Sequence, residues 1–262
     1  MNQLRGIYII WYRDILRFWH DKMRLIGSLT FPLLFLFVFG NGLSARMGVL
    51  GGGFDFTQFI YPGIIGMTVL MTSFMSGISV VWDREFGFLK EVLVAPISRA
   101  AVAIGKTLGS ATIASFQGVL ILAFAPLIGV SLSIGTVLAL LPLMFLLATA
   151  LGSFGVLLAT RIRSMEAFQA TMQMLMFPMV FLSGAFFPLQ DLPQWMNVLV
   201  KVNPATYGIA PIRQVVLGSA PDATYGISLF GHTLTLWNEV AILAAFGAAM
   251  ILLAIWSFGN QE

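Results

Sequence analysis

Six runs of apolar residues dominate the sequence, and the short stretches between them gather nearly all of its charge. The runs cover residues 25–43, 60–81, 107–130, 134–160, 168–187 and 238–258. At a rise of about 1.5 Å per residue, roughly 20 apolar residues cross the hydrocarbon core of a bilayer, so each run predicts a membrane-spanning helix. The first is the shortest and carries Pro32, which removes one helical hydrogen bond.

Between the runs the pattern changes. Over residues 1–24, Leu4, Ile7, Tyr8, Trp11, Ile15 and Phe18 recur at three- and four-residue steps, with Arg5, Arg13 and Arg17 off the stripe. That spacing predicts a helix lying flat at the membrane interface, anchored by Trp11, Arg13 and Arg17. Residues 83–96 predict a short helix stopped by Pro96, with Phe86, Leu89 and Leu93 on one side and Arg84, Lys90 and Glu91 off it. Joint apolar and charged faces suit docking on a partner. Residues 188–217 are too apolar for an ordinary loop. Trp195, Val198, Leu199 and Val202 form a helical stripe, Asn203-Pro204 breaks it, and a second helix runs from Pro204 to about Leu217. Each piece is roughly 15 to 20 Å long, too short to cross. Joined as a seventh span they would bury Lys201 and Arg213 at roughly 2.5 to 3.5 kcal/mol each near the bilayer centre, so a re-entrant hairpin fits better.

Composition agrees. Of 262 residues, 58% are hydrophobic and 10% charged, where a soluble domain carries about 45–50% and about 25%. The sequence has no cysteine and two histidines, His20 and His232, which excludes a disulfide framework and CxxC metal or redox motifs. Eleven of the Lys and Arg residues fall within 1–24, 83–106 and 161–167, whereas only Arg46, Lys201 and Arg213 lie in the alternate loops. The positive-inside rule then places both termini in the cytoplasm. The predicted fold is an all-α integral membrane protein: a single domain of six transmembrane helices, an N-terminal interface helix and a re-entrant hairpin before the last span.

Chemistry within the chain is sparse. Gly105-Lys106-Thr107 matches the end of a phosphate-binding loop, yet Ala100 stands where the motif needs its first glycine and a helix precedes it instead of a strand. The better reading is a basic residue at the membrane boundary, with Gly105 and Gly109 permitting close helix packing. Hydrolase motifs are missing and nothing points to nucleic acid. The spans contain almost no carboxylate, which weakens an ion-coupled mechanism; Glu239 sits at a span end. Met67, Met71 and Met75 at four-residue steps, and Met172, Met176 and Met179 in the fifth span, suit either ordinary packing or a path for varied apolar substrates.

Three stretches carry a family likeness: Gln58-Phe59-Ile60-Tyr61-Pro62-Gly63; the cytoplasmic run from Arg84 to Arg99 with its Leu-Val-Ala-Pro ending; and Leu182 to Pro193 followed by Asn203-Pro204, Tyr207 and Arg213. The chain resembles ABC type-2 exporter permeases, in particular the daunorubicin-resistance-like multidrug branch. The resemblance implies a coupling helix seated in a separate nucleotide-binding subunit, with Arg84, Glu85, Phe86, Phe88, Leu89, Lys90, Glu91, Leu93 and Pro96 at the contact. It also implies an outer gate that includes Pro188, Leu192, Pro193, Asn203, Pro204, Tyr207 and Arg213. Mg-ATP would belong to the partner subunit, not to this chain. Two permease halves, most simply a homodimer, would work with two ATPases in the cytoplasmic membrane of a prokaryote, in contact with its lipids. Expected substrates are hydrophobic drugs or lipids, with lipid-linked glycans or polymers as the alternative. A membrane enzyme would need a polar catalytic cluster that the sequence lacks, while a non-catalytic channel or assembly protein would lack an ATPase partner.

Overall fold

The computed structural model describes residues 3–47, 56–85, 98–162, 164–189, 192–218, 228–229 and 232–259. Phe86, Phe88, Leu89, Lys90, Glu91, Leu93 and Pro96 of the expected coupling helix lie outside the described residues.

The described chain is helical apart from one minimal ladder. Helices α1 (Gln3–His20) and α2 (Lys22–Met47) are followed by α3 (Phe56–Phe74), which tightens through a 3₁₀ turn at Met75–Gly77 into α4 (Ile78–Glu85). Then come α5 (Arg99–Leu122), a 3₁₀ turn at Ala125–Ile128, α6 (Ile134–Arg161), α7 (Met165–Phe181), α8 (Gln194–Val202), α9 (Thr206–Leu217) and α10 (Leu236–Gly259). Strands β1 (Ser228–Leu229) and β2 (His232–Thr233) pair antiparallel, so His232 belongs to a strand end opposite Leu229.

Local chemistry sets the helix ends. Ser98, Ser133 and Ser164 accept hydrogen bonds from the amides of Ala101, Thr136 and Ala167, capping α5, α6 and α7. The Ser98 cap starts α5 at Arg99, so Lys106 lies well inside the helix. The α-helix gives way after Leu122 to the 3₁₀ turn containing Pro126, and the chain turns at Gly129 (φ 74°), short of the predicted 130. Helix α7 stops at Phe181, short of the predicted 187, because the chain turns through Ser183 and Gly184 (φ 76°) after Pro178.

Helix α3 is the centre of the core: every residue from Phe59 to Leu70 is buried. It packs against α2, α5, α6 and α9, and the Tyr61 hydroxyl donates to the carbonyls of Ile121 and Leu122 at 3.1 and 3.3 Å. At the periphery, α10 packs on α6 and leaves Leu252, Leu253 and Trp256 exposed. Among the described residues, three units are long and apolar enough to cross a membrane: Phe56–Glu85, Ile134–Arg161 and Leu236–Gly259. Together with the apolar stretch Leu25–Val38 of α2, they make this a membrane-protein fold.

Helix α1 is amphipathic, as predicted, and seats one side on the bundle. Gly6, Ile10 and Phe18 are buried, while Leu4, Tyr8, Tyr12 and Trp19 are exposed. Gly105 and Gly109 explain the docking: a Cβ at either would come within 2.9 Å of Ile10 Cβ or 3.2 Å of Asp14 Cβ. The predicted apolar stripe is therefore divided, one part against α5 and the other outward.

Candidate functional site

One end of the bundle is fastened by charge. The Lys106 ammonium, 2% exposed, lies 2.9 Å from Asp83 Oδ2 and 3.3 Å from Asp14 Oδ1, and donates to Ser79 Oγ at 3.0 Å. Arg13 Nη2 donates to Asp83 Oδ2 at 3.0 Å and stands 3.5 Å from Asp14 Oδ1. Two cations and two carboxylates thus balance where α1, α4 and α5 meet. In a low-dielectric interior such charges persist only when paired and hydrogen-bonded.

Two further arginines fasten the same end. Arg84, at the close of α4, donates to the carbonyls of Thr160 and Ile162 at 3.1 Å each. Arg99, opening α5, donates to the carbonyls of Phe258 and Gly259 at 3.2 and 2.6 Å. Both satisfy orphan carbonyls at helix C-termini, where a cation also meets the favourable end of the helix dipole. Beside them, the hydroxyls of Thr160 and Ser257 lie 2.6 Å apart, and Arg161 Nε donates to Ser257 Oγ at 3.0 Å. The helices that bracket residues 86–97 are thus locked to α1, α6 and α10. Arg84, expected at the partner contact, faces inward onto α6, whereas Glu85 is exposed.

At the other end, two of the three stretches that carry the family likeness converge. Arg213 of α9, 3% exposed, donates through Nη2 to the carbonyls of Gly184 and Ala185 at 2.5 and 3.2 Å. Its guanidinium stands 4.2 Å from the centre of the Phe59 ring. Asn203 Nδ2 donates to the Met179 carbonyl at 2.8 Å, and its Oδ1 accepts from the Ala205 amide at 3.1 Å, holding the Asn-Pro corner against the end of α7. The Tyr207 hydroxyl donates to the Lys201 carbonyl at 2.7 Å. Burial and then the Glu239 carboxylate push the Tyr207 phenol above its usual range, which keeps it a donor. The predicted stripe of α8, Trp195, Val198, Leu199 and Val202, faces outward, while α9 from Thr206 to Arg213 is buried. Of the expected gate residues, Asn203, Tyr207 and Arg213 belong to this cluster and Pro204 to its corner; Pro188 and Pro193 are exposed, and Leu192 is half-buried. Replacing Arg213 with methionine is expected to cost about 2–3 kcal/mol, from charge-assisted hydrogen bonds and ring stacking. Thermal unfolding of the purified protein reads this as a lower midpoint, and an unchanged midpoint would refute the cluster's structural role.

Between the two ends lies a cavity of about 600 Å³, walled by α1, α2, α3, α4, α5 and α7. Met71, Met75 and Met176 line it. Met67 instead lines a small neighbouring pocket, and Met172 is fully buried in the core. Arg17 lines the mouth, its guanidinium 4.9 Å from the centre of the Trp82 ring, and Trp11 donates to Thr112 Oγ1 at 3.0 Å. The sequence reading missed the polar wall of this cavity. Gln117, 1% exposed, donates to Ser28 Oγ at 2.5 Å and accepts from Thr72 Oγ1. A search of the apolar runs for neutral hydrogen-bonding side chains, beyond one for charges alone, would have found it.

The geometry can be set beside known proteins. Residues 5–217 match the family model described as ABC-2 type transporter. The chain is 27% identical over 256 residues to a putative transport permease, Ycf38, of Cyanophora paradoxa, covering 95% of this chain and 88% of that protein. It is 26% identical over 246 residues to the inner membrane transport permease YadH of Escherichia coli K12, covering 93% and 88%. It is 27% identical over 216 residues to nodulation protein J of Rhizobium leguminosarum bv. trifolii, covering 82% and 79%. With most of its length matched by that model, this chain belongs to the ABC-2 type transporter family.

Proposed function

We propose that this chain is one permease half of an ABC exporter and that, as a homodimer, it moves an apolar or amphiphilic molecule outward across a prokaryotic cytoplasmic membrane. Six crossings put both termini inside. The energy comes from Mg-ATP on a separate nucleotide-binding subunit. Gly105 and Lys106 lie within α5, and the lysine is committed to Asp14 and Asp83 instead of a phosphate. The observation that carries the reading is the fastened end of the bundle. Helices α4 and α5 bracket residues 86–97 and are tied to α1, α6 and α10 through Asp83, Arg84, Arg99 and Lys106. A push delivered to that segment would reach several helices together instead of being absorbed by one.

Purification of the tagged protein from its host in mild detergent tests this. An ATPase subunit is expected at equal stoichiometry, with vanadate-sensitive hydrolysis. Substituting Phe86, Leu89 and Leu93 together with alanine is expected to weaken that association by at least about tenfold, because apolar anchors at the centre of an interface carry most of its energy. Purification of the intact dimer without any ATPase would instead favour a channel or assembly protein.

A further inference from the structure

Gln117 is a polar side chain buried within α5, 1% exposed, and both ends of its amide reach neighbouring helices. Its nitrogen donates to Ser28 Oγ of α2 at 2.5 Å, and its oxygen accepts from the Thr72 hydroxyl of α3. Ser28 in turn donates to the Leu25 carbonyl at 2.9 Å. In an apolar bundle such neutral ties hold helices in a specific register, since lipid offers no replacement partner.

The tie meets α2 at the turn where that helix is least braced. Pro32 has no amide hydrogen, so the carbonyl of Ser28, four residues earlier, loses its helical donor. A proline in that position is where a helix bends most readily. Gly27, Ser28, Phe31 and Pro32 all line the cavity, so a bend there changes its shape.

Followed the other way, the tie leads to the fastened end of the bundle. Positions 106 and 117 of α5 fall on nearly the same face of the helix, about 16 Å apart along its axis. One face of α5 therefore holds α1 and α4 through Lys106, and α2 and α3 through Gln117. Between the two grips, Ser110 and Ile113 line the cavity.

Resting on the permease reading, we infer that Gln117 is a positioning residue for transport: it makes residues 22–28 of α2 follow α5, so that α2 bends at Pro32 and reshapes the cavity when the ATPase acts on residues 86–97. Gln117 does this through Ser28, without touching the substrate.

The sequence has no cysteine, and a Cβ at Gly27 would meet nothing within 4 Å, so Gly27→Cys places a single thiol at the cavity without a clash. The complex of this variant with its ATPase, in lipid nanodiscs, is treated with a hydrophilic maleimide in the nucleotide-free and vanadate-trapped states. A several-fold difference in labelling rate between the two states is expected. Gln117→Leu should abolish that difference while the ATPase stays bound and hydrolyses ATP. Ser28→Ala, a smaller change that removes the same tie, should do likewise, and adding it to Gln117→Leu should change nothing more. Pro32→Ala, which returns a donor to the Ser28 carbonyl, should narrow the difference without lowering the unfolding midpoint. If Gln117 served structure alone, Gln117→Leu would lower the midpoint yet leave the ratio of labelling rates as in the parent. That result, or equal rates in the two states of the parent, overturns the inference. An ATPase that still co-purifies in that event leaves the permease function standing, so the two failures can be told apart.

Discussion

Replacing Lys106 with methionine is expected to destabilise the protein by about 3–5 kcal/mol, because it leaves buried carboxylates short of a cation. Methionine keeps the length of the side chain and its apolar stem, so packing against α1 is preserved and the change isolates the ammonium. What remains is Asp83 and Asp14, 10% and 12% exposed, sharing the single guanidinium of Arg13. Two carboxylates facing one cation in a low-dielectric site repel each other. Unfolding midpoints of the purified protein should therefore fall sharply for Lys106→Met. A second variant removes the ambiguity of mere damage: Lys106→Met combined with Asp83→Leu restores charge balance, leaving Arg13 with Asp14. It should recover much of the lost stability, in keeping with the near-neutral cost of replacing a whole buried ion pair by apolar groups. If the double variant is no more stable than the single one, the four groups do not act as one balanced unit. The double variant also separates stability from coupling. Without Asp83, α4 loses its tie to α1 and α5, so a well-folded double variant with its ATPase bound should hydrolyse ATP while transporting less.

Much of this architecture was legible in the sequence because hydropathy reports local burial. The run at 134–160 became α6, Ile134–Arg161, and the run at 238–258 became α10, Leu236–Gly259, nearly residue for residue. The Asn203-Pro204 break separates α8 from α9 where proline chemistry demanded it. Local signals fail where distant groups decide. Nothing in the spacing of Asp14, Asp83 and Lys106 announces that they meet, since their pairing depends on how three helices cross. The stripe of α1 marks an amphipathic helix but not its docking place: Gly105 and Gly109, about a hundred residues away in sequence, admit it to the bundle. Helix α5 begins ahead of the apolar run at 107 because a serine cap sets its boundary, whereas hydropathy averaging discounts Ser98, Arg99 and Lys106. The polar wall of the cavity escaped for the same reason: threonine and glutamine within apolar runs barely alter a hydropathy average, although they dominate the chemistry of the space they face.

Substituting Gly155 with valine is expected to cost at least as much as the upper end of the about 1–3 kcal/mol typical of overpacking, because the obstruction is backbone. A Cβ on Gly155 would stand 2.3 Å from the Phe74 carbonyl oxygen, and a Cβ on Gly77 would stand 2.3 Å from the carbonyl oxygen of Gly155. The two chains therefore approach each other reciprocally, at the place where α3 passes through its 3₁₀ turn into α4. Neither carbonyl can rotate aside as a side chain would, so α6 must separate from the α3–α4 unit along its length. That movement would draw Arg84 away from the carbonyls of Thr160 and Ile162 and shift Thr72 and Ser76 at the cavity wall. Gly118→Ala provides the contrast. Its new Cβ would meet the Met144 sulfur at 2.6 Å and Val69 Cγ2 at 3.0 Å, and the flexible thioether can swing clear. That change is expected to cost less than about 1.5 kcal/mol. Unfolding midpoints measured side by side decide the matter. A Gly155→Val protein as stable as Gly118→Ala would mean that the crossing has slack, and would remove the physical reason for treating α3, α4 and α6 as one rigid lever from the fastened end to the cavity.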